Sequence, residues 1–191
     1  MRNIILASQS PRRREILTQV GIPFTVKVSN VEEIVPDVPP VEVVQELARQ
    51  KAAAVAEEVW AAGQQDDIVL GADTIVVCDN EIMGKPVDRE DAERMIRKLA
   101  GRDHAVYTGV AVVSKEETFT FAECTLVTVR PMSEEDLQEY LDSSEPYDKA
   151  GAYAVQGFFA KHIEKLNGDY YNVVGLPVSR IYYELKKRQM I

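Results

Sequence analysis

The sequence predicts a mixed α/β fold, a twisted central sheet flanked by helices, and three observations carry that prediction. The apolar run Ile4-Ile5-Leu6-Ala7 leads straight into a marked helix start at Ser10-Pro11. A long helical pattern over about 41–62 precedes the apolar run Ile68 to Cys78. Two strand-like runs, near 104–114 and 118–129, flank the polar turn Lys115-Glu116-Glu117. Strands interleaved with helices bury both kinds of apolar face when the helices cover a sheet.

The first strand is expected near 3–7. Ser10 is a good N-cap and Pro11 a good first helical residue, since proline lacks an N–H that the first turn leaves unbonded anyway. That helix runs near 11–20 and stops at Gly21, and Ile22 to Val28 reads as a second strand, completing a β-α-β opening. After the acidic loop Val31-Glu32-Glu33 and the breaker run Pro36 to Pro40, Val44, Leu47, Ala48, Ala52, Val55 and Val59 form the apolar stripe of the long helix. The strand over Ile68 to Cys78 carries a polar interruption at Gly71 to Thr74, and Asp79-Asn80 turns it back toward Glu81-Ile82-Met83.

Asp88 with Asp91 resembles a capping box, opening a helix that turns Ala92, Met95, Ile96 and Leu99 inward and closes at Gly101. After the hairpin, Ser133 with Asp136 caps a short helix ending near Asp142. Tyr147 to Gly157 reads as a loop, and Phe158 to Glu164 as a weakly alternating strand. Asn167-Gly168 is a hairpin turn returning Tyr170 to Val174 as its partner strand. Gly175-Leu176-Pro177 starts a final helix with Val178, Ile181, Tyr182 and Leu185 inward. No repeat and no separating linker is visible, so residues 1–191 are expected to form one domain.

A chain of 191 residues with 46% hydrophobic residues can bury a core without staples. Cys78 and Cys124 have no metal-ligand or disulfide-framework spacing, and neither a secretory leader nor a membrane span is evident, so a cytoplasmic protein is expected. A net charge of −9 opposes binding to a nucleic-acid polymer or an anionic membrane, and neither is expected as a partner. A small anion in a local positive pocket is still compatible with that balance.

Arg12, Arg13 and Arg14 stand where a buried strand becomes a helix, which is where free N–H groups and the helix dipole attract phosphate. Cations in a first turn oppose the dipole, so a ligand anion explains them better than a plain solvated surface does. Asp73 is the leading catalytic candidate: a carboxylate within an apolar run is costly unless a cation or hydrogen bonds meet it. A structural aspartate bonded to loop N–H groups is the plain alternative. Glu33 could join it in holding a hard divalent ion, although for at least one of the adjacent Glu32 and Glu33 a solvated loop glutamate is the simpler reading. Lys51, three residues after Ala48, falls on or near the inward side of its helix, either aimed at an anion or snorkelling outward. Lys85, between Gly84 and Pro86, is set on a rigid segment, and Ser8 and Thr74 offer hydroxyls. Gln156, in a loop of small residues, could read a base edge with its amide, or simply face water. There is no Walker loop and no G-x-G-x-x-G, and His104 and His162 lie in no nucleophile–base motif, which argues against P-loop, Rossmann and Ser-His-Asp enzymes.

Ala7-Ser8-Gln9-Ser10-Pro11-Arg12-Arg13, Gly71-Ala72-Asp73-Thr74, Gly84-Lys85-Pro86, the stretch Asp148 to Gly157 and Asn172 to Pro177 occur in this order along nearly the whole chain. Together they resemble the Maf family of nucleoside triphosphate pyrophosphatases. The resemblance implies a fold related to the inosine-triphosphate pyrophosphatases, two lobes around a cleft, a homodimer, and cleavage of a nucleoside triphosphate to monophosphate and pyrophosphate with Mg²⁺ or Mn²⁺. It also implies a link to septum formation and division arrest. By position, Asp73 matches the family's proton acceptor, Arg13, Lys51 and Lys85 its phosphate-facing cations, and Glu33 its metal-side acid. Arg12, Thr74 and Gln156 match the places that separate substrate classes, and this combination looks like the dTTP and UTP branch rather than the 7-methyl-GTP branch. Ala154, where many relatives have Gly, is a minor departure. The rival reading is a non-catalytic nucleotide sensor that regulates division through the same pocket.

Overall fold

A computed structural model describes residues 2–64 and 66–191. The β-α-β opening forms as strand β1 (Ile4–Leu6), helix α1 (Pro11–Gln19) and strand β2 (Phe24–Val26). Helix α2 (Pro40–Ala61), strands β3 (Ile68–Cys78) and β4 (Glu81–Met83) and helix α3 (Arg89–Leu99) follow. Next come strands β5 (Asp103–Val113) and β6 (Thr118–Val129), helix α4 (Glu134–Leu141), strand β7 (Ile163–Asn167) and helices α5 (Tyr170–Val174) and α6 (Val178–Lys187). The seven strands form one mixed sheet in the order β2-β1-β3-β5-β6-β7, with β4 paired to β3. β1 pairs in parallel with β2 and β3, and β4 and β7 pair antiparallel with β3 and β6. Among the described residues no helix is long and apolar enough to cross a membrane.

The chain divides into two compact units. The first comprises Met1–Asp73, Thr108–Glu123 and Gly175–Ile191, and the second Thr74–Tyr107 and Cys124–Val174. In the first, α2 lays Ala48, Ala52, Val55, Ala56 and Val59 on Ile5, Ala7, Val69, Ala111 and Val113. Two glycines let that helix come close: a Cβ at Gly71 would stand 2.4 Å from the Ala48 carbonyl oxygen, and one at Gly109 2.1 Å from that of Val44. Side chains alternate along a strand, so Val69, Gly71 and Asp73 share the face of β3 that α2 covers.

In the second unit α3 packs Ala92, Met95, Ile96 and Leu99 into a core with Val76, Val106, Val127, Tyr140 and Phe159. Asp88 caps α3 by accepting the Asp91 N–H at 2.8 Å, and Asp91 accepts the Val87 N–H at 3.2 Å. Ser133 caps α4 at Asp136 N–H in the expected way.

Three expectations need correction. Asn167-Gly168 makes no hairpin: Phe158–His162 is a 3₁₀ turn, residues 163–167 pair with β6, and Tyr170–Val174 is helical. Asp169 starts that helix by accepting the Tyr171 N–H, while Asn172 is buried, donating to the Val106 carbonyl and the Thr125 hydroxyl. Gly168 (φ 138°) is needed for close approach, since a Cβ there would meet Thr125 Oγ1 at 2.7 Å. Ser10 occupies the N-cap position of α1 but makes no side-chain capping bond; its N–H donates to Ser8 Oγ. Tyr182 is exposed on α6, where Val178, Ile181 and Leu185 supply the inner stripe.

Candidate active site

In the first unit, three charged residues from separate segments meet. The close seating of α2 on Gly71 carries Lys51, one turn beyond Ala48, over the carboxylate two residues past Gly71. Lys51 Nζ donates to Asp73 Oδ1 at 2.5 Å and lies 3.2 Å from Glu33 Oε2. The side chains of Lys51 and Asp73 keep only 17% and 14% of their surface exposed, against 40% for Glu33.

The acidic loop is held by a residue that sequence reasoning passes over. Gln50, next to Lys51 on α2, donates through Nε2 to the Ile34 carbonyl and accepts the Ile34 N–H at Oε1, both at 2.9 Å. Glu33 is thereby tied to the same helix as Lys51. An amide one position from a candidate lysine carries no pattern that would mark it in advance.

Of the three arginines only Arg13 turns inward. It is buried, its Nε donating to the Gly175 carbonyl at 2.8 Å and its Nη1 to Ser8 Oγ at 3.0 Å. Burial pulls its pKa below the ordinary value, Asp73 raises it, Arg12 lowers it and Glu33 raises it again. A guanidinium stays protonated through such shifts, so a positive charge is fixed within electrostatic reach of both carboxylates. Arg12 is half-buried, and Arg14 is exposed and reaches back to the Gln9 carbonyl.

Among the described residues no group of three or more His, Cys, Asp or Glu side chains is placed to hold a metal ion by itself. The two carboxylates on one ammonium nevertheless suit a hard divalent ion, because Mg²⁺ is commonly held by one or two carboxylates with substrate phosphates and water completing its shell.

In the second unit, Thr74 is half-buried on β3, Lys85 is exposed after β4, and Gln156 is exposed in the 149–157 loop. Val76, two residues beyond Thr74 on the same face, lies under Gly151, where a Cβ would stand 2.9 Å from its Cγ2. The Gly151 N–H donates to the Gly84 carbonyl at 3.0 Å, joining this loop to the residue preceding Lys85. Tyr153 is buried with its hydroxyl 2.6 Å from His104 Nε2, while Gln156 faces outward.

The family described as Maf, Maf-like protein, matches residues 3–188. A dTTP/UTP pyrophosphatase of Lachnoclostridium phytofermentans is 49% identical over 192 residues, covering 98% of this chain and 95% of the relative. Proteins of the same name from Bacillus cereus and Bacillus anthracis are 48% and 49% identical, each over 98% of this chain and 96% of the relative. A crystal structure of a nucleoside-triphosphatase, a dITP/XTP pyrophosphatase from Mycobacterium abscessus, aligns with 66% of this chain and 72% of its own at 15% identity and a TM-score of 0.40.

Proposed function

The chain belongs to the Maf family, and we propose that it is a pyrophosphatase converting dTTP and UTP to the nucleoside monophosphate and pyrophosphate. One observation carries the reading: an ammonium shared by two carboxylates, with a buried guanidinium close enough to feel both. A triphosphate needs fixed positive charge at its phosphates and one carboxylate near the attacked phosphorus; Arg13 and Lys51 supply the first and Asp73 the second.

In the proposed reaction a water oxygen bonds to the α-phosphorus, the bond from that phosphorus to the α–β bridging oxygen breaks, and pyrophosphate departs with the electron pair. Asp73 orients the water and accepts its proton. Arg13, Lys51 and Lys85 offset charge on the phosphates, an electrostatic contribution that a preformed site makes without reorganising. Ser8 and the Gly175 carbonyl hold Arg13 in one orientation for that role. Asp73 and Glu33 would hold Mg²⁺ or Mn²⁺, whose chemistry when bound is to spread phosphate charge and polarise the anhydride. Thr74 and Gln156 read the pyrimidine edge, and Arg12 fixes the base or sugar end. The homodimer, the cytoplasmic setting and the division link implied by the resemblance belong to the same proposal; sedimentation velocity tests the first.

The test is pyrophosphate release from a panel of triphosphates with Mg²⁺ or Mn²⁺. Asp73→Asn keeps an oxygen acceptor for Lys51, so the fold is expected to survive while turnover falls by about 10³-fold, within the range for losing a general base. Near-wild-type turnover in that variant refutes the assignment, and nucleotide binding without turnover by the wild type favours the sensor.

A further inference from the structure

Glu145 lies just before the 149–157 loop and is bonded to both of its ends. At one end its main-chain carbonyl accepts the Lys149 ammonium at 2.8 Å. At the other its carboxylate accepts the main-chain N–H groups of Phe158 at 2.6 Å and Phe159 at 3.1 Å, with the Tyr140 hydroxyl oxygen 3.2 Å from Oε1. The chain closes tightly on this carboxylate, since a Cβ at Gly157 would stand 1.8 Å from Oε2. Bonds from N–H groups to an ionised oxygen are among the stronger ones available, so the clasp is firm. The loop between its jaws is anchored inside as well: the Tyr140 hydroxyl donates to the Ala152 carbonyl at 2.8 Å, and the Gly151 N–H to the Gly84 carbonyl.

What the clasp leaves outward is Gln156, one residue before Gly157 and two before the first clasped N–H. We propose that Glu145 is a positioning residue for base selection, stapling the two ends of the 149–157 loop so that the Gln156 amide is presented in one place. This rests on the reading of Gln156 as the base-edge reader. A loop ordered before binding escapes the entropy cost of being ordered by the ligand, so loosening the staple weakens recognition of the cognate base more than it slows chemistry.

The test compares Glu145→Gln, Gly157→Ala and Gln156→Ala. Glu145→Gln keeps size and one acceptor but sets an NH₂ against one of the two main-chain N–H groups. Gly157→Ala leaves the carboxylate intact and drives a methyl group into its place. In both, KM for dTTP and UTP is expected to rise about tenfold with kcat changed less than about threefold, and the preference over a purine triphosphate is expected to narrow. Amide exchange at Phe158 and Phe159 is expected to accelerate in Glu145→Gln. If Gln156→Ala alters base preference while the two clasp variants, folded by circular dichroism, keep wild-type KM and preference, the inference is overturned and the reading of Gln156 stands. If Gln156→Ala leaves preference untouched, the reading fails and the inference with it. Should the clasp variants not fold, Glu145→Asp keeps the charge but withdraws it by one methylene from the two N–H groups; a KM raised about threefold supports the proposal and an unchanged one overturns it.

Discussion

His104 is enclosed beside Tyr153, with Nε2 against the tyrosine hydroxyl and Nδ1 buried without a hydrogen-bond partner among the described residues. Burial lowers its pKa from 6.5 to about 4, Asp103 opposing slightly, and burial pushes the Tyr153 hydroxyl up. The folded state thus favours the neutral ring, while the unfolded chain takes up a proton as pH falls below about 6.5. The resulting stability is complete above that pH and lost as pH falls toward about 4, about 3 kcal/mol in all. His162, lowered by burial in the same direction, adds to the loss. Urea-unfolding midpoints measured from pH 7.5 to 4.5 are expected to fall less steeply in His104→Gln than in the wild type; parallel curves would contradict the assignment. Charged side chains with helical spacing were partly readable: Lys51 follows Ala48 by three, a register that puts it on or near the covered face. Gln50, Glu145 and the Ser8–Arg13 bond were not readable, because each joins segments whose proximity only the tertiary fold creates.

Helix α2 is the element on which the charged group depends. Its apolar stripe is visible in the sequence, as are the strand with the polar interruption and the capped helices α3 and α4, since each has a strong local period or a side-chain cap. What Gly71 and Gly109 do is invisible there, because a strand glycine signals close approach without naming what approaches. The hairpin expected at Asn167-Gly168 failed for a related reason. Local turn chemistry favours it, but pairing of residues 163–167 with β6 and the buried Asn172 amide hold the following segment as a helix. Gly109→Ala tests the seating of α2 on strand β5. The added methyl meets the Val44 carbonyl at 2.1 Å, backbone against backbone, and the helix must lift. Overpacking of this kind costs about 3 kcal/mol, which lowers Tm by roughly 6–12 °C in a chain of this size. Because the lifted helix carries Lys51, kcat measured well below the melting range is expected to fall too. A Tm within about one degree of wild type would show that α2 does not rest on Gly109.

For the molecule as a whole, charge is the quantity that sorts possible partners. The total of −9 is spread over a surface where many arginines are already neutralised, as Arg94 is by Glu81 and Asp91 and Arg97 by Glu93 and Glu134. Such exposed pairs contribute little stability, but they remove those cations from any extended positive stripe. Buried Arg13 and the partly buried Lys51, which Asp73 and Glu33 share, form a small local group of charge that suits a compact triphosphate and not a long phosphate backbone. The sheet order and the boundaries of the two compact units belong to the contacts of the folded chain; the sequence opened only the class of fold and, through the family resemblance, the expectation of two lobes. The charge argument was open from composition alone and leads to a firm expectation. Fluorescence anisotropy of a labelled oligothymidylate at 0.05–0.15 M salt is expected to show no saturable binding up to about 0.1 mM protein, weaker than the roughly 10⁻⁴–10⁻⁶ M of ordinary non-specific nucleic-acid binders. An excess of the same oligonucleotide is expected to leave dTTP turnover unchanged. Saturable, salt-sensitive binding in the micromolar range would mean that an extended positive surface exists on the molecule and would overturn this expectation.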